Sequence, residues 1–249
     1  MPITDYRTAL VTGASSGIGL AIAEDLSTTG LKVHAVALPE TGLEAHAGRM
    51  GAIPHAMDVA DTDRIEALIA EVAPDVLINN AGILGAFAPL QSVSREAVDR
   101  LIAINLSQAV HFTRAALPAM IERKRGHIVF TGSIAGRINS RGLAVYSATK
   151  AGVQAFAEGI RWDVLGTGIR VTVLVPGRVE TRIYDSHFGS RDKAEAALYT
   201  DFNAIQPTDM ARLVRSVLEM PAHVDVSVVE VMPTGQVFGG SQIAKTVDN

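Results

Sequence analysis

The chain has 249 residues, of which 48% are apolar, so it can bury one sizeable core without disulfides or a structural metal. It contains no cysteine, which excludes disulfides, thiolate metal sites and cysteine nucleophiles, and this composition fits a reducing cytosol. The net charge of −4, with scattered Lys and Arg, offers no basic surface for nucleic acid, so we expect a small-molecule partner.

The first residues, "MPITDYR", lead directly into the strand-like run "TALVT" and carry no charged-then-apolar leader. No apolar run approaches the length of a membrane span. We therefore expect a cytoplasmic protein that does not contact a membrane. The sequence also predicts no metal site.

Short β-rich runs alternate with segments of 3.6-residue periodicity, which is typical of parallel strands joined by crossover helices. The runs are apolar nearly throughout, as expected when helices cover both faces of a sheet. We predict one doubly wound α/β domain over residues 1–249. The strand-like runs are "TALVT", "KVHAVAL", "DVLINN", "HIVFTGS", "IRVTVLVPG" and "VSVVEVM".

A glycine-containing loop, "VTGASSGIGLAIAEDL", follows the first of these runs and opens a helix. Its glycines, Gly13, Gly17 and Gly19, follow the pattern GxxxGxG rather than the generic dinucleotide pattern GxGxxG. Glycines at such a turn let the backbone approach a pyrophosphate, whose charge is favoured at the positive end of the helix. A strand-to-helix turn without a ligand is the alternative.

The run "YSATK" places Tyr146 and Lys150 four residues apart, on the same face of a predicted helix. A tyrosine that exchanges protons near neutral pH needs its pKa lowered by roughly three units, or about 4 kcal/mol. One cation at roughly 5 Å, with an effective dielectric near 20, supplies about 3 kcal/mol. The spacing therefore predicts that Lys150 lowers the pKa of Tyr146.

Two further polar residues occupy unusual places. Ser133 ends the run "HIVFTGS" and precedes Tyr146 by 13 residues, at the sheet edge where doubly wound folds bind ligands. A serine there is ordinarily a turn residue. Asn105, in "AINLSQAV", lies within a helical segment although its short amide is a poor helix former, so it is either functional or a kink residue.

Together with "NNAG" and "PGRVET", these motifs resemble the short-chain dehydrogenase/reductase superfamily, in the right order over essentially the whole chain. The resemblance implies a Rossmann-type fold with a mainly parallel seven-stranded sheet, and NAD(P)-dependent interconversion of an alcohol and a carbonyl. It implies that Tyr146 exchanges the proton, Ser133 holds the substrate oxygen and Lys150 tunes the phenol. Asn105 would hold a water that links Lys150 to solvent.

The resemblance also implies a set of cofactor contacts. Asp58 would accept a hydrogen bond from the adenine amine, the Val59 amide would contact the ring, and Thr181 would bind the carboxamide together with the Val179 backbone. The implied cofactor-binding residues are Gly13, Ser15, Ser16, Gly17, Ile18, Gly19, Leu38, Asp58, Val59, Asn80, Ala81, Gly82, Tyr146, Lys150, Pro176, Gly177, Val179 and Thr181.

The choice between NAD and NADP stays open. The family reads the ribose 2′ position with a carboxylate for NAD or an arginine for NADP, and these positions fall here on Ala37 and Leu38. Glu40 is close enough in sequence to reach a ribose hydroxyl, but it follows a proline and is equally typical of a solvated loop. Neither cofactor signature is therefore present.

A looser resemblance connects the chain with the branch that oxidises serine and other 3-hydroxy acids or reduces small anionic aldehydes. Residues 182–206 form a polar insertion that we interpret as a substrate lid. An arginine facing the pocket would bind an anionic group, and a polyol or sugar alcohol is the competing substrate class. The basic candidates are Arg137, Arg141, Arg178, Arg182 and His187.

A catalytically silent dinucleotide sensor is the alternative from another functional class. The resemblance further implies a homotetramer, with one interface along the helices around Asn105 and Gln154 and another at the C-terminal tail. Four apolar residues at helical spacing suit a buried face, either in that interface or in the core of one chain. They are Val153, Phe156, Ile160 and Val164.

Overall fold

The computed structural model describes residues 3–237, which form one seven-stranded sheet covered by helices. The strand order is β3-β2-β1-β4-β5-β6-β7, and every neighbouring pair is parallel. The predicted doubly wound fold is confirmed. The strands are β1 (Thr8–Thr12), β2 (Lys32–Ala37), β3 (Ile53–Ala56), β4 (Val76–Asn79), β5 (Gly126–Thr131), β6 (Ile169–Pro176) and β7 (Val228–Val231).

The helices lie in two layers, one on each face of the sheet. They are α1 (Gly17–Ser27), α2 (Leu43–Met50), α3 (Thr62–Val72), α4 (Arg95–Ile102), α5 (Gln108–Glu122), α6 (Ala144–Asp163), α7 (Asp185–Phe188), α8 (Arg191–Leu198) and α9 (Pro207–Leu218). Among residues 3–237, none of these helices combines the length and apolar character needed to cross a membrane.

Two apolar cores lie on opposite faces of the sheet. On β1, Ala9 and Val11 belong to the core that includes α1, α2 and α9, whereas Leu10 belongs to the core beneath α3, α5 and α6. Because successive strand residues point to opposite faces, a sheet covered on both sides needs apolar residues at every position. This explains why the strand-like runs are nearly continuous rather than alternating.

The apolar stripe of α6 is part of the second core. Val153, Ile160 and Val164 are buried there, and Phe156 packs against the cluster with its ring edge-on to Phe130. The stripe is therefore accounted for within one chain. Any contact between copies along α6 would use the other faces of this helix.

The outer strand β3 was not among the strand-like runs in the sequence. Its residues "IPHA" are only partly buried, and Pro54 is exposed. A proline is tolerated at a sheet edge because it removes a hydrogen-bond donor only where no further strand pairs. Such a segment lacks the apolar run that marks the inner strands.

Two histidines stack across strands β2 and β3. The His34 Nδ1 atom lies 2.8 Å from His55 Nε2, and their ring centroids are 5.0 Å apart. Burial, and to a smaller extent the neighbouring His55, lower the pKa of His34 to about 4. The folded state therefore favours the neutral form of His34.

Protonation of this histidine pair should make the stability of the protein depend on pH. Because the folded-state pKa of His34 lies below its unfolded value of 6.5, the unfolded chain binds the proton first as pH falls. The melting temperature should therefore decrease between pH 6.5 and pH 4. His34→Gln should reduce the slope of this decrease, measured by circular dichroism melts. An equal slope in both proteins would contradict the assignment.

Candidate active site

A cavity of about 400 Å³ opens at the carboxyl ends of the strands, beside the point where the strand order reverses between β1 and β4. Doubly wound sheets bind ligands at this switch point because the loops on either side diverge and leave a crevice. The loops that follow β1, β2, β4, β5 and β6 all contribute to its wall.

Almost all of the predicted site residues line this one cavity. Gly19 and Asn105 do not, and both lie behind its wall. The residues from the prediction that form the wall are Gly13, Ser15, Ser16, Gly17, Ile18, Leu38, Asp58, Val59, Asn80, Ala81, Gly82, Ser133, Tyr146, Lys150, Pro176, Gly177, Val179 and Thr181.

The glycine loop is built for close backbone approach. Gly13 has a φ of 67°, in the left-handed region that favours glycine. A Cβ atom on Gly19 would lie 2.2 Å from the Gly13 carbonyl oxygen, so Gly19 lets α1 pack against the loop. Ser16, at the start of α1, makes no side-chain capping bond. Amide N–H groups of the first turn therefore face the cavity unblocked, which fits a pyrophosphate.

Asn80 braces this loop from the neighbouring strand. Its Nδ2 atom donates to the Thr12 carbonyl at 3.1 Å, and Thr131 Oγ1 donates to Asn80 Oδ1 at 3.1 Å. The amide thus ties the end of β1 to the end of β5. Asn80 shapes the cavity chiefly by holding the loop in place.

The far end of the cavity contains an ion pair that the sequence did not reveal. Arg100, at the end of α4, lies 2.7 Å from the Asp58 carboxylate, which also accepts a hydrogen bond from the Ala60 amide at 2.9 Å. Burial raises the pKa of Asp58, but the bonds from Ala60 and Arg100 outweigh it and hold the pKa below its usual range. Asp58 is therefore a carboxylate at neutral pH.

The edge of the cavity after β2 is apolar. Ala37, Leu38 and Met57 lie there together with Thr41, whose hydroxyl donates to the Leu38 carbonyl at 2.6 Å. Glu40 is exposed and does not belong to the cavity wall. The glutamate is therefore placed as a solvated loop residue.

The opposite end brings together Ser133, Tyr146 and Lys150. Ser133 follows β5 by two residues and accepts a hydrogen bond from the Ala135 amide at 3.1 Å, which fixes its orientation. Tyr146 and Lys150 lie on the first turns of α6 and are 8% and 4% exposed. Ser133 lies near enough to the phenol of Tyr146 to lower its pKa in part.

Lys150 is held beside the phenol by the backbone of β5. Its Nζ atom donates to the Thr131 carbonyl at 2.8 Å and lies 5.9 Å from the centre of the Tyr146 ring. Burial lowers the pKa of Lys150 to about 8. The side chain is therefore close to losing its charge at mildly alkaline pH.

The prediction of a lowered pKa for Tyr146 is wrong for the chain by itself. Burial raises the pKa of Tyr146, and the nearby Tyr184 raises it further, while the contact with Ser133 lowers it only in part. Removal from water disfavours the charged phenolate, and at Tyr146 this effect outweighs the contact with Ser133. In the chain alone, Tyr146 is a protonated phenol at neutral pH.

Asn105 lies in a π-helical segment, Ala103–Ser107, between α4 and α5. Its side chain pairs with Ile83, accepting from the amide at 2.8 Å and donating to the carbonyl at 2.8 Å. A Cβ atom on Gly82 would lie 3.4 Å from Asn105 Oδ1 and 3.5 Å from Lys150 Nζ. The π-helical turn therefore directs the Asn105 amide toward the loop beside Lys150. The irregular helix at Asn105 and its contact with Ile83 thus have the same structural origin.

Three of the four candidate arginines have partners or lie outside the cavity. Arg137 lies 2.5 Å from the Glu230 carboxylate, and Arg141 is exposed and absent from the cavity wall. Arg182 lines the cavity, but its side chain is 74% exposed and pairs with Asp185 at 3.0 Å. None of these three presents an unpaired, buried charge.

Arg178 differs from them. It follows β6, and its guanidinium carbon lies 5.4 Å from the centre of the Phe202 ring. Burial raises the pKa of Tyr184, and the positive charge of Arg178 lowers it in part. Tyr184 is a cavity-lining phenol that sequence analysis missed. Tyr184 could have been suspected only from its position in the predicted lid.

The predicted lid begins against the cavity and then packs onto the body of the protein. Tyr184 and His187 lie beside Phe87, with ring centroids 6.4 and 4.2 Å from that of Phe87. Further along, the Tyr199 hydroxyl donates to the Val179 carbonyl at 3.1 Å. The first residues of the segment are therefore the part that borders the cavity.

Comparison with known proteins assigns the family. Residues 7–192 match the family model for short chain dehydrogenases. Over 98% of each chain, the protein is 47% identical to an uncharacterized short-chain type dehydrogenase/reductase of Sinorhizobium fredii. It is 36% identical to an NADP-dependent 3-hydroxy acid dehydrogenase of Salmonella typhimurium, over 95% of this chain and 99% of that relative.

A solved structure described as the closed form of serine dehydrogenase complexed with NADP⁺ has a TM-score of 0.88 and 35% identity, covering 96% of this chain and 100% of the other. The chain belongs to the short-chain dehydrogenase/reductase family. Both the predicted superfamily and the looser resemblance to 3-hydroxy acid dehydrogenases are confirmed, as is the oxidoreductase class.

Proposed function

We propose that the chain interconverts an alcohol and a carbonyl with NAD or NADP, and that Tyr146 is its general acid and base. The observation that carries this proposal is the convergence of Ser133, Tyr146 and Lys150 at one end of a cavity whose other end is a glycine loop and a helix N-terminus. One end suits a dinucleotide, and the other suits proton exchange with a substrate oxygen.

The cofactor is a nicotinamide dinucleotide, which supplies or accepts the hydride. The uncapped first turn of α1 supports binding of its pyrophosphate, and Asp58 and Val59 line the wall where the adenine would lie. Pro176, Gly177 and Thr181 line the wall toward the reacting end. The NADP-dependent relatives support the same cofactor class.

Each residue at the reacting end has a separate task. Ser133 donates a hydrogen bond to the substrate oxygen and keeps it beside the Tyr146 phenol. In the reductive direction Tyr146 Oη donates its proton to that oxygen, and the raised pKa keeps the proton available at neutral pH. Lys150 places positive charge beside the phenol, and Asn105 holds the Ile83 loop against Lys150.

The substrate is a small hydroxy acid or an anionic aldehyde. The names of two relatives, a 3-hydroxy acid dehydrogenase and a serine 3-dehydrogenase of Agrobacterium fabrum at 33% identity, support this class. A polyol is the competing class because Ser133 and Tyr146 would hold its hydroxyl equally well. Only a recognised charge separates the two classes.

We further propose that residues 182–206 act as the lid, that the protein is cytoplasmic and that it assembles as a homotetramer. One interface would run along the helices that contain Asn105 and Gln154. The other was predicted at the C-terminal tail, whose last residues, 238–249, lie outside the described part of the chain.

Titration of the purified protein with NADH and with NADPH, followed by nicotinamide fluorescence, tests the proposal. We expect saturable binding of at least one cofactor and turnover of at least one alcohol from panels of hydroxy acids and polyols. Binding without any turnover would favour the sensor alternative. An absence of binding by both cofactors would overturn the enzymatic assignment.

A further inference from the structure

We propose that Tyr184, supported by the Arg178 guanidinium behind it, binds the carboxylate of the substrate beside Tyr146. This inference rests on the proposed function and specifies its substrate class. Tyr184 ends a short 3-10 turn, Arg182–Tyr184, and its side chain forms part of the cavity wall together with Tyr146 and Leu84. Tyr184 packs against the small apolar cluster that contains Tyr146.

The charge balance around Arg178 is the first argument. Within residues 3–237, no carboxylate lies at ion-pair distance from this guanidinium, and its Nη1 atom is buried without a hydrogen-bond partner. The guanidinium lies over the Phe202 ring, and its charge acts on the Tyr184 phenol. Arg178 as a whole is half-buried, but its Nη1 end is removed from water without an anion, which is costly. An anionic ligand nearby would balance this charge.

The donor and acceptor groups of Arg178 and Tyr184 also favour an anionic ligand. A guanidinium has five N–H donors and no acceptor, so in any contact between Arg178 and the Tyr184 oxygen it is Arg178 that donates. The phenolic O–H of Tyr184 then remains free to donate elsewhere, and the positive charge behind it strengthens that donation. Since Tyr184 lines the cavity, the acceptor it suits best is an anionic oxygen of the bound substrate.

The other cations of the cavity wall serve other partners. Arg182 pairs with Asp185 at the surface, and Arg100 pairs with Asp58 at the far end. Lys150 donates to the Thr131 carbonyl. Arg178 acts through Tyr184 and is a positioning residue, because it does not itself line the cavity.

A matched pair of ligands isolates the charge. Propionate and propionamide have nearly the same shape, and only the first is an anion. We expect the NADH-bound protein to bind propionate at least about tenfold more tightly than propionamide, which corresponds to about 1.4 kcal/mol and to one charge-assisted hydrogen bond. The dissociation constants follow from the melting temperature as a function of ligand concentration.

Four variants assign the preference to its residues. Tyr184→Phe keeps the ring and should abolish the preference, and Arg178→Met keeps the aliphatic stem on Phe202 and should do the same. Arg178→Lys should retain part of it, because the charge is restored. Arg141→Gln removes an exposed arginine outside the cavity and should leave it unchanged.

The outcomes separate this inference from the function on which it rests. If the wild-type protein binds NADH but does not prefer propionate, or if Tyr184→Phe keeps the preference, the carboxylate site is refuted while the oxidoreductase assignment stands. Equal loss in Arg178→Lys and Arg178→Met would show a packing role for Arg178 and refute its part in the site. A protein that binds neither NADH nor NADPH refutes both proposals.

Discussion

Replacement of Tyr146 by phenylalanine should lower kcat by about 10³-fold, within the range expected for loss of a general acid. The ring remains to fill its buried place on α6, so the fold should survive. Binding of NADH should weaken by no more than about tenfold, the value of one hydrogen bond. Steady-state kinetics and nicotinamide fluorescence, with a melting curve as the check on folding, measure all three quantities.

The pH profile distinguishes loss of the proton donor from indirect damage. Reduction needs the protonated phenol, and oxidation needs the phenoxide, so the oxidation rate should rise with pH while the reduction rate does not. Lys150 loses its charge near pH 8, and this should produce a further change in both the oxidation rate and the reduction rate. Residual activity in Tyr146→Phe should lack the rise with pH. If that variant retains full activity and the same profile, Tyr146 is not the acid and base.

The fold was largely predictable because burial on both faces imposes one simple pattern. Strands β1, β2, β4, β5 and β6 are buried apolar runs that could be recognised without any knowledge of their neighbours. Strand β7 is a half-exposed edge strand, and it could be recognised from its valines. Strand β3 could not be recognised, because its four residues include Pro54, which an edge position tolerates, and lack the run of valines that marks β7 at the other edge. This segment forms a strand because it pairs with β2, and that tertiary contact is not visible in its own sequence.

The arrangement of the reacting groups was predictable for a different reason. Tyr146 and Lys150 lie on one helix, so their spacing alone determines that they share a face. Their pKa values were not predictable, because these depend on how far each group is removed from water. The Coulomb energy between two groups depends on their distance and does not include the cost of removing each group from water. At Tyr146 that cost decides that the pKa is raised rather than lowered.

Contacts between segments that are distant along the chain were the hardest features to predict from the sequence. Arg178 was one of several candidate arginines, and nothing in its neighbourhood distinguished it from Arg182. The distinction came from partners: Asp185 neutralises Arg182, whereas Arg178 lies over the Phe202 ring and its charge acts on the Tyr184 phenol. These contacts depend on how residues 178–206 fold back across the end of the sheet.

Leu38→Arg should shift the preference between the two cofactors toward NADPH by about 10- to 100-fold, measured as the ratio of the dissociation constants of NADH and NADPH. Leu38 lines the apolar edge of the cavity after β2, where the ribose 2′ position would lie. An arginine there would form a charge-assisted, bidentate contact with the 2′-phosphate, worth about 1.5–3 kcal/mol. Leu38→Gln is the matched control without the charge.

The same edge predicts the behaviour of the wild-type protein. A 2′-phosphate would bring its negative charge against Ala37, Leu38 and Met57. Arg100, a cation of the cavity wall, is already paired with Asp58. We therefore expect NADH to bind at least as tightly as NADPH, although named relatives are NADP-dependent. Tighter binding of NADPH would contradict this expectation. Loss of that preference in Arg100→Gln would then identify Arg100 as the phosphate ligand.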